Sequence, residues 1–165
     1  MFAIARLVIQ NDMATDNLLF RSMRLEDEDI VRRMVKALYK SLDVPHGYMT
    51  DQKIDATFQQ LRLRQSNLEL DVFELDGVIA GYALLFKFWY NEIGGLVLNV
   101  DELFVLPDFR ERGIASRYLA TLNNRRDYVA LSLEVLPQNE KAYSLYKRMG
   151  FAEKETVTLY KILEQ

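Results

Sequence analysis

Residues 100–116 read Val-Asp-Glu-Leu-Phe-Val-Leu-Pro-Asp-Phe-Arg-Glu-Arg-Gly-Ile-Ala-Ser. The apolar run ending at Val105 has strand character, Pro107 interrupts it, and Arg110 to Ala115 lead into a helix. A strand, a tight turn and a helix start in succession leave the first backbone N–H groups of that helix without partners, at the positive end of its dipole. Such a start is a ready site for an anion such as a phosphate. Gly113 lets the backbone approach a ligand closely.

Downstream of this stretch, Ile114, Tyr118, Leu119 and Leu122 form one apolar stripe of a helix over Gly113 to Asn123. Val129 to Val135 reads as a buried strand by its β-branched and leucine content. Gln138 to Met149 reads as a second helix, stopped by Gly150. Phe151 and Thr156 to Leu163 are expected to close the sheet.

Upstream, Leu68 to Leu75 alternates as a strand, Asp76-Gly77 is a hairpin turn signal, and Val78 to Phe88 is the returning strand. Asn91 to Gly95 makes another turn before the strand Leu96 to Val105. Two helices precede this meander. The acids Glu26 to Asp29 suit the first turn of one running to about Ser41, with Ile30, Val31, Met34 and Leu38 at helical spacing. Asp43 to Gly47 breaks it, and Thr50 or Asp51 caps another in which Ile54, Phe58 and Leu61 share a face. Leu18 to Met23 is a short first strand. Phe2 to Ile9 has strand character and residues 11–17 read as a polar linker, so residues 1–17 are an N-terminal extension without an assigned role. Residues 18–165 form a single domain.

A chain of 165 residues is long enough to bury a core without metals or disulfides. It has no Cys and one His, which excludes a thiol nucleophile and a cysteine zinc site and leaves most metal and catalytic-triad arrangements without ligands. The net charge of −3 argues against nucleic acid as a partner and favours a cationic substrate. No apolar run reaches the ~20 residues of a membrane span, and Met1 to Ile9 is too brief for a secretory signal. The expected setting is cytoplasmic.

In this order the elements resemble the GNAT superfamily, acyl-CoA-dependent N-acyltransferases, over about Leu18 to Leu163. Arg110, Gly113 and Ala115 match its coenzyme A signature directly after a strand. Asn139 to Phe151, with Tyr146 and the closing Gly150-Phe151, looks like its fourth motif. Gly81-Tyr-Ala83, the aromatic run Phe86 to Tyr90, Gly94 and Asp101 to Val105 look like the diamine acetyltransferase branch, from which Asn99 departs because that branch commonly has Tyr there.

The resemblance implies an α/β fold whose mixed central sheet has an antiparallel N-terminal meander, splayed strands at the cofactor site, and flanking helices. It implies acetyl-CoA as co-substrate and no metal. The backbones of Phe104 and Val105 are then expected to touch pantetheine. The amides of Arg110, Glu111, Arg112, Gly113, Ile114, Ala115 and Ser116 would cradle the pyrophosphate, with the two arginines adding charge. Asn139 would contact the coenzyme, Tyr143 would line its pocket, and Tyr146 would be the general acid.

Acyl transfer needs a neutral amine, and deprotonating a lysine-like one at pH 7 costs roughly 4.6 kcal/mol. A carboxylate can attract the ammonium and order a water that relays its proton outward. Strand alternation puts Asn99, Asp101, Leu103 and Val105 on one face and Glu102 and Phe104 on the other. Asp101 is the first candidate by resemblance, and Glu102 the second, because a bulge would change the parity. The departing thiolate needs a donor, and a phenol near pKa 10 is protonated at pH 7. Phe86, Phe88, Trp89, Tyr90 and His46 are candidates for the acceptor side.

The expected function is acetyl transfer to a primary amine, a polyamine or other small molecule, by direct attack in a ternary complex. A non-catalytic acyl-CoA sensor and a protein N-acetyltransferase are the alternatives. Homodimers are common in the superfamily.

Overall fold

A computed structural model describes residues 16–42, 48–159 and 161–163. The proposed strand at Phe2 to Ile9 and the loop residue His46 lie outside the described residues.

Strand β1 (Leu18–Ser22) leads through a 3-10 turn (Leu25–Asp27) into helix α1 (Glu28–Ser41). Asp27 fixes that entry: its carboxylate accepts from the Arg24 backbone N–H at 2.7 Å and from Arg21 at 2.6 Å. Helix α2 (Asp51–Leu61) is capped by the Thr50 hydroxyl, which accepts from Lys53 N–H. Strands β2 (Leu68–Leu75), β3 (Val78–Tyr90) and β4 (Gly95–Val105) follow as an antiparallel meander. The β2–β3 turn places Asp76 and Gly77 at φ 52° and 80°, the left-handed pair that a two-residue hairpin requires. Then come α3 (Ile114–Leu122), β5 (Ala130–Leu133) and α4 (Glu140–Arg148). The sheet order is β1-β2-β3-β4-β5, with β5 parallel to β4.

Each sheet face carries its own core. Val31, Met34, Ile54 and Phe58 of α1 and α2 cover Val72, Tyr82, Leu84 and Phe104 on one side. On the other, the anticipated stripe Ile114, Tyr118, Leu119 and Leu122 of α3 covers Phe73, Leu85, Leu98 and Val100. The Tyr118 hydroxyl donates to the buried Asp71 carboxylate at 2.8 Å, which also accepts from Arg125 at 3.2 Å, so a charged β2 residue ties α3 to the sheet.

Two expectations about the last strands differ from the structure. β5 has only four residues and is half-exposed, with Val129 outside it and open, because β4 covers just one of its edges. The described residues between Thr156 and Leu163 form no strand in the sheet and are exposed. Among the described residues no helix is long and apolar enough to cross a membrane.

Candidate active site

The site is built by a mismatch in strand length. Parallel pairing of β4 with β5 runs from Val97↔Ala130 to Val100↔Leu133 and stops, while β4 continues to Val105 against β3 alone. Because β5 ends at Leu133, the β5-side edge of β4 from Asp101 to Val105 has no strand beside it among the described residues, which leaves a gap.

A bulge sits where the gap begins. Leu84 pairs with Glu102 but Leu85 pairs with Val100, so Asp101 is the extra residue. Its consequence is visible in the cores: Leu98 and Val100 face the α3 side, and after the bulge Leu103 and Val105 do so. Asn99 therefore does not share a face with Leu103 and Val105, contrary to simple alternation. Its side chain instead accepts from the Ser132 hydroxyl at 2.8 Å across the last parallel pairs.

Asp101 is exposed, whereas Glu102 is buried on the α1–α2 side. The Asp101 carboxyl is held above its ordinary range, by desolvation first and then by the negative charge of Glu134. Glu102 accepts from the Tyr82 hydroxyl at 2.7 Å. Its carboxyl is also raised, because desolvation and the Asp101 charge outweigh the tyrosine hydrogen bonds. Burial and Glu102 together push the phenols of Tyr82 and Tyr39 up. Glu102 borders an otherwise largely apolar cavity of about 20 Å³ with Val35, Ile54 and Phe58, room for one water.

Edge direction separates Phe104 from Val105. The Leu106 N–H donates to Ala80 O at 2.8 Å, so by alternation the Phe104 backbone also faces β3. A Cβ on Gly81 would stand 2.3 Å from the Phe104 carbonyl oxygen, which places that oxygen against β3. Only the backbones of Leu103 and Val105 open onto the gap. The expected contact of pantetheine with the Phe104 backbone has no free edge to use.

Beyond β4, Pro107–Phe109 make a 3-10 turn, and Glu111 and Gly113 adopt left-handed φ of 64° and 72°. This swings the chain into α3, whose N-cap is Gly113. The N–H groups of Gly113, Ile114, Ala115 and Ser116 find no acceptor among the described residues, and a Cβ on Gly113 would meet nothing within 4 Å. The cradle is open and lined by donors, as an anion requires.

The arginines brace this turn. Arg110 Nε donates to the Val105 carbonyl at 2.9 Å with its guanidinium 5.7 Å from the Phe104 ring centre, and Arg112 donates to Asp108 O at 3.3 Å. Both remain exposed at the mouth of the cradle.

On α4, Asn139 is the N-cap and accepts from Ala142 N–H at 3.2 Å. Tyr143 is exposed and its hydroxyl is taken by Glu153. Tyr146 is half-buried against the α3-side core with Phe151 edge-on at 5.9 Å. Its phenol is raised by desolvation alone, and its hydroxyl has no hydrogen-bond partner among the described residues.

Of the aromatic run, only Phe86 lies near the bulge, paired with Asn99. Tyr90 pairs with Gly95, six residues before Asp101, or about 20 Å along the strand. Tyr39 and Glu134 were not singled out in the sequence, and Tyr82 stood there only inside the Gly81-Tyr-Ala83 motif, without a role. Pairing of Val100 with Leu133 brings Glu134 beside Asp101, and no local spacing signals a relation between residues 33 apart.

The Acetyltransferase (GNAT) family model matches residues 35–151. An uncharacterised N-acetyltransferase of Methanocaldococcus jannaschii is 36% identical over 93 residues, 52% of this chain and 40% of that protein. The aminoglycoside N(6')-acetyltransferase type 1 of Salmonella typhimurium is 26% identical over 106 residues, 60% of this chain and 72% of that protein. The chain thus aligns to less than half the length of the archaeal relative. In fold, a crystallised aminoglycoside N-acetyltransferase in complex with CoA superposes with a TM-score of 0.71 at 22% identity, over 89% of this chain and 95% of that one.

Proposed function

The chain belongs to the acetyltransferase (GNAT) family, and from that premise we propose that it moves the acetyl group of acetyl-CoA to a primary amine of a small, positively charged molecule. The observation that carries this reading is the juxtaposition of an open β4 edge from Asp101 to Val105 with the donor-lined start of α3. An extended pantetheine arm has a strand edge to lie along, and a pyrophosphate has unpaired N–H groups to receive it.

The residues divide the chemistry as follows. Leu103 offers its backbone groups and Val105 its N–H to the arm, the Val105 carbonyl being held by Arg110, and Gly113 to Ser116 hold the pyrophosphate, with Arg110 and Arg112 adding charge at the mouth. Asp101 attracts the acceptor ammonium and orders the water that takes its proton away; Glu102, buried behind it, adds negative potential. The freed amine attacks the thioester carbonyl carbon, and as the C–S bond breaks the nitrogen gives up a second proton to water while the Tyr146 hydroxyl stabilises the departing thiolate or protonates it, the phenol then regaining its proton from solvent. Desolvation keeps that phenol protonated at neutral pH. Without a Cys in the chain, direct attack in a ternary complex is the simpler route.

Three carboxylates, Asp101, Glu102 and Glu134, near the start of the gap favour an acceptor with more than one positive charge. The Salmonella relative is named for aminoglycosides, and the diamine-like residues around Asp101 point to polyamines. Both are polycationic amines.

Thiol release measured over spermidine, lysine analogues, aminoglycosides and peptide N-termini tests the reading. The expected result is CoA release with a small polycation and intersecting initial-velocity lines. Release with peptide N-termini only would make the chain a protein N-acetyltransferase. Tight acetyl-CoA binding with no release from any amine would leave a sensor, and parallel velocity lines would overturn the ternary complex.

A further inference from the structure

A second cavity, of about 400 Å³, opens at the other end of the β4–β5 pairing. Its volume suits a small ligand. Pairing with β5 begins at Val97 and stops at Val100, so Leu96 in the cavity and Asp101 at the gap stand on opposite sides of that contact. They are five residues, or about 17 Å, apart along β4. The same separation takes Trp89, paired with Leu96, away from the acceptor side.

Strand parity makes the floor apolar. Leu85 and Leu98 belong to the core under α3, so Lys87, Trp89 and Leu96, which alternate in step with them, lie on the same face of the sheet. Helix α3 ends at Leu122, and past its end Trp89 is 63% exposed beside Leu96. The walls are polar. Asn67, just before β2, accepts the Lys87 backbone N–H on its carbonyl at 3.0 Å, while Asp127 and Tyr128 come from the loop before β5. The Tyr128 hydroxyl donates to Glu69 at 3.0 Å, and Glu69 also accepts from Arg125, which reaches the buried Asp71 at 3.2 Å. One wall is thus tied to the sheet before any ligand arrives, which lowers the cost of binding.

Neither Lys87 nor Asp127 has an ion-pair partner among the described residues, although both line this cavity. A cation and an anion that border one apolar floor without meeting each other match a molecule that carries both charges. We propose that the cavity is a second ligand site, for the zwitterion of an apolar α-amino acid: its carboxylate on the Lys87 ammonium, its ammonium on Asp127, and its side chain over Leu96 and the Trp89 ring. A simple amine has no group for Lys87, and a simple carboxylic acid has none for Asp127. The site uses none of the residues that serve acetyl transfer, and the proposal does not rest on that reaction.

Trp89 is the chain's one tryptophan, so its fluorescence reports on this cavity directly. Titration of the full chain with L-leucine is expected to give a saturable blue shift with a Kd of about 1 mM or tighter. Isocaproate, which is leucine without its ammonium, and isoamylamine, which is leucine without its carboxylate, should each bind about tenfold more weakly. Lys87→Met and Asp127→Asn should each weaken leucine binding by a similar factor. No saturable shift, or an affinity for either one-charge probe equal to that for leucine, would overturn the proposal. So would a shift that Asp101→Asn abolishes and Lys87→Met keeps, since leucine would then occupy the acetyl-transfer site. The one-charge probes act on the wild type and decide even where a variant fails to fold.

Discussion

Asp101 and Glu134 are the first residues past the last parallel pair, Val100↔Leu133, so two acids flank the point where β4 and β5 part. Their proximity is written into the Asp101 carboxyl, which Glu134 helps to hold above its ordinary range. Removing the Glu134 charge lowers the Asp101 pKa. With Glu134→Gln the acid limb of the kcat/KM profile for a good amine is expected to move to lower pH. Asp101→Asn should lower kcat/KM by about 10²-fold or more. An acid limb that stays in place in Glu134→Gln, with Asp101→Asn fully active, would remove Asp101 from the proton path.

The hydroxyl of Tyr146 makes no hydrogen bond within the described protein, and so its loss should leave stability unchanged. Tyr146→Phe is expected to reduce kcat by about 10²-fold or more if the phenol serves the thiolate, with the melting temperature and the KM for acetyl-CoA close to wild type. Wild-type turnover in that variant would show that Tyr146 is pocket wall only.

Gly81 and Gly113 should respond to alanine in opposite ways. At Gly81 a Cβ would strike the Phe104 carbonyl oxygen and, at 2.8 Å, the Phe73 ring, so Gly81→Ala should unfold the chain or leave it insoluble. At Gly113 space is free and only the left-handed φ matters, a cost of about 1–2 kcal/mol. Gly113→Ala should fold with a lowered melting temperature and a raised KM for acetyl-CoA, since the relaxing backbone withdraws N–H groups from the cradle. An unchanged KM would place the pyrophosphate elsewhere.

What the sequence made legible was what local periodicity controls. The stripe of α3, the Asp76-Gly77 hairpin and the strand-to-helix turn at Arg110 each follow from residues within one or two turns of one another, and each is where its pattern puts it. The parity of Asp101 was not legible, because a bulge depends on β3 pairing and leaves no mark in β4 itself. The closing strand at Thr156 to Leu163 illustrates the same limit. Its alternation is real, yet alternation states only that a strand would bury one face, never whether a sheet edge lies within its reach.

Glu102 yields the last prediction. The carboxyl binds its proton more tightly in the folded chain than in the unfolded one, where a glutamate sits at about 4.3. Between that value and the raised folded one, the native state holds more protons than the unfolded state, so this group's contribution to stability falls as pH rises. Asp27 acts with the opposite sign, since Arg21 and the Arg24 N–H hold its carboxyl low and its contribution is lost on acidification. Comparing wild type with Glu102→Gln cancels the Asp27 effect, which both share. Glutamine keeps an oxygen for the Tyr82 hydroxyl without the buried charge. In urea titrations from about pH 4 to about pH 8, the variant should gain on the wild type as pH rises and lose that advantage at the acid end. Tyr82→Phe, which takes from the buried carboxylate one of its two tyrosine donors, should instead cost about 1–3 kcal/mol at neutral pH. A Glu102→Gln stability difference that stays flat across this range would mean that Glu102 titrates in the folded chain as it does in the unfolded one, and that its charge is met by more than the two tyrosines.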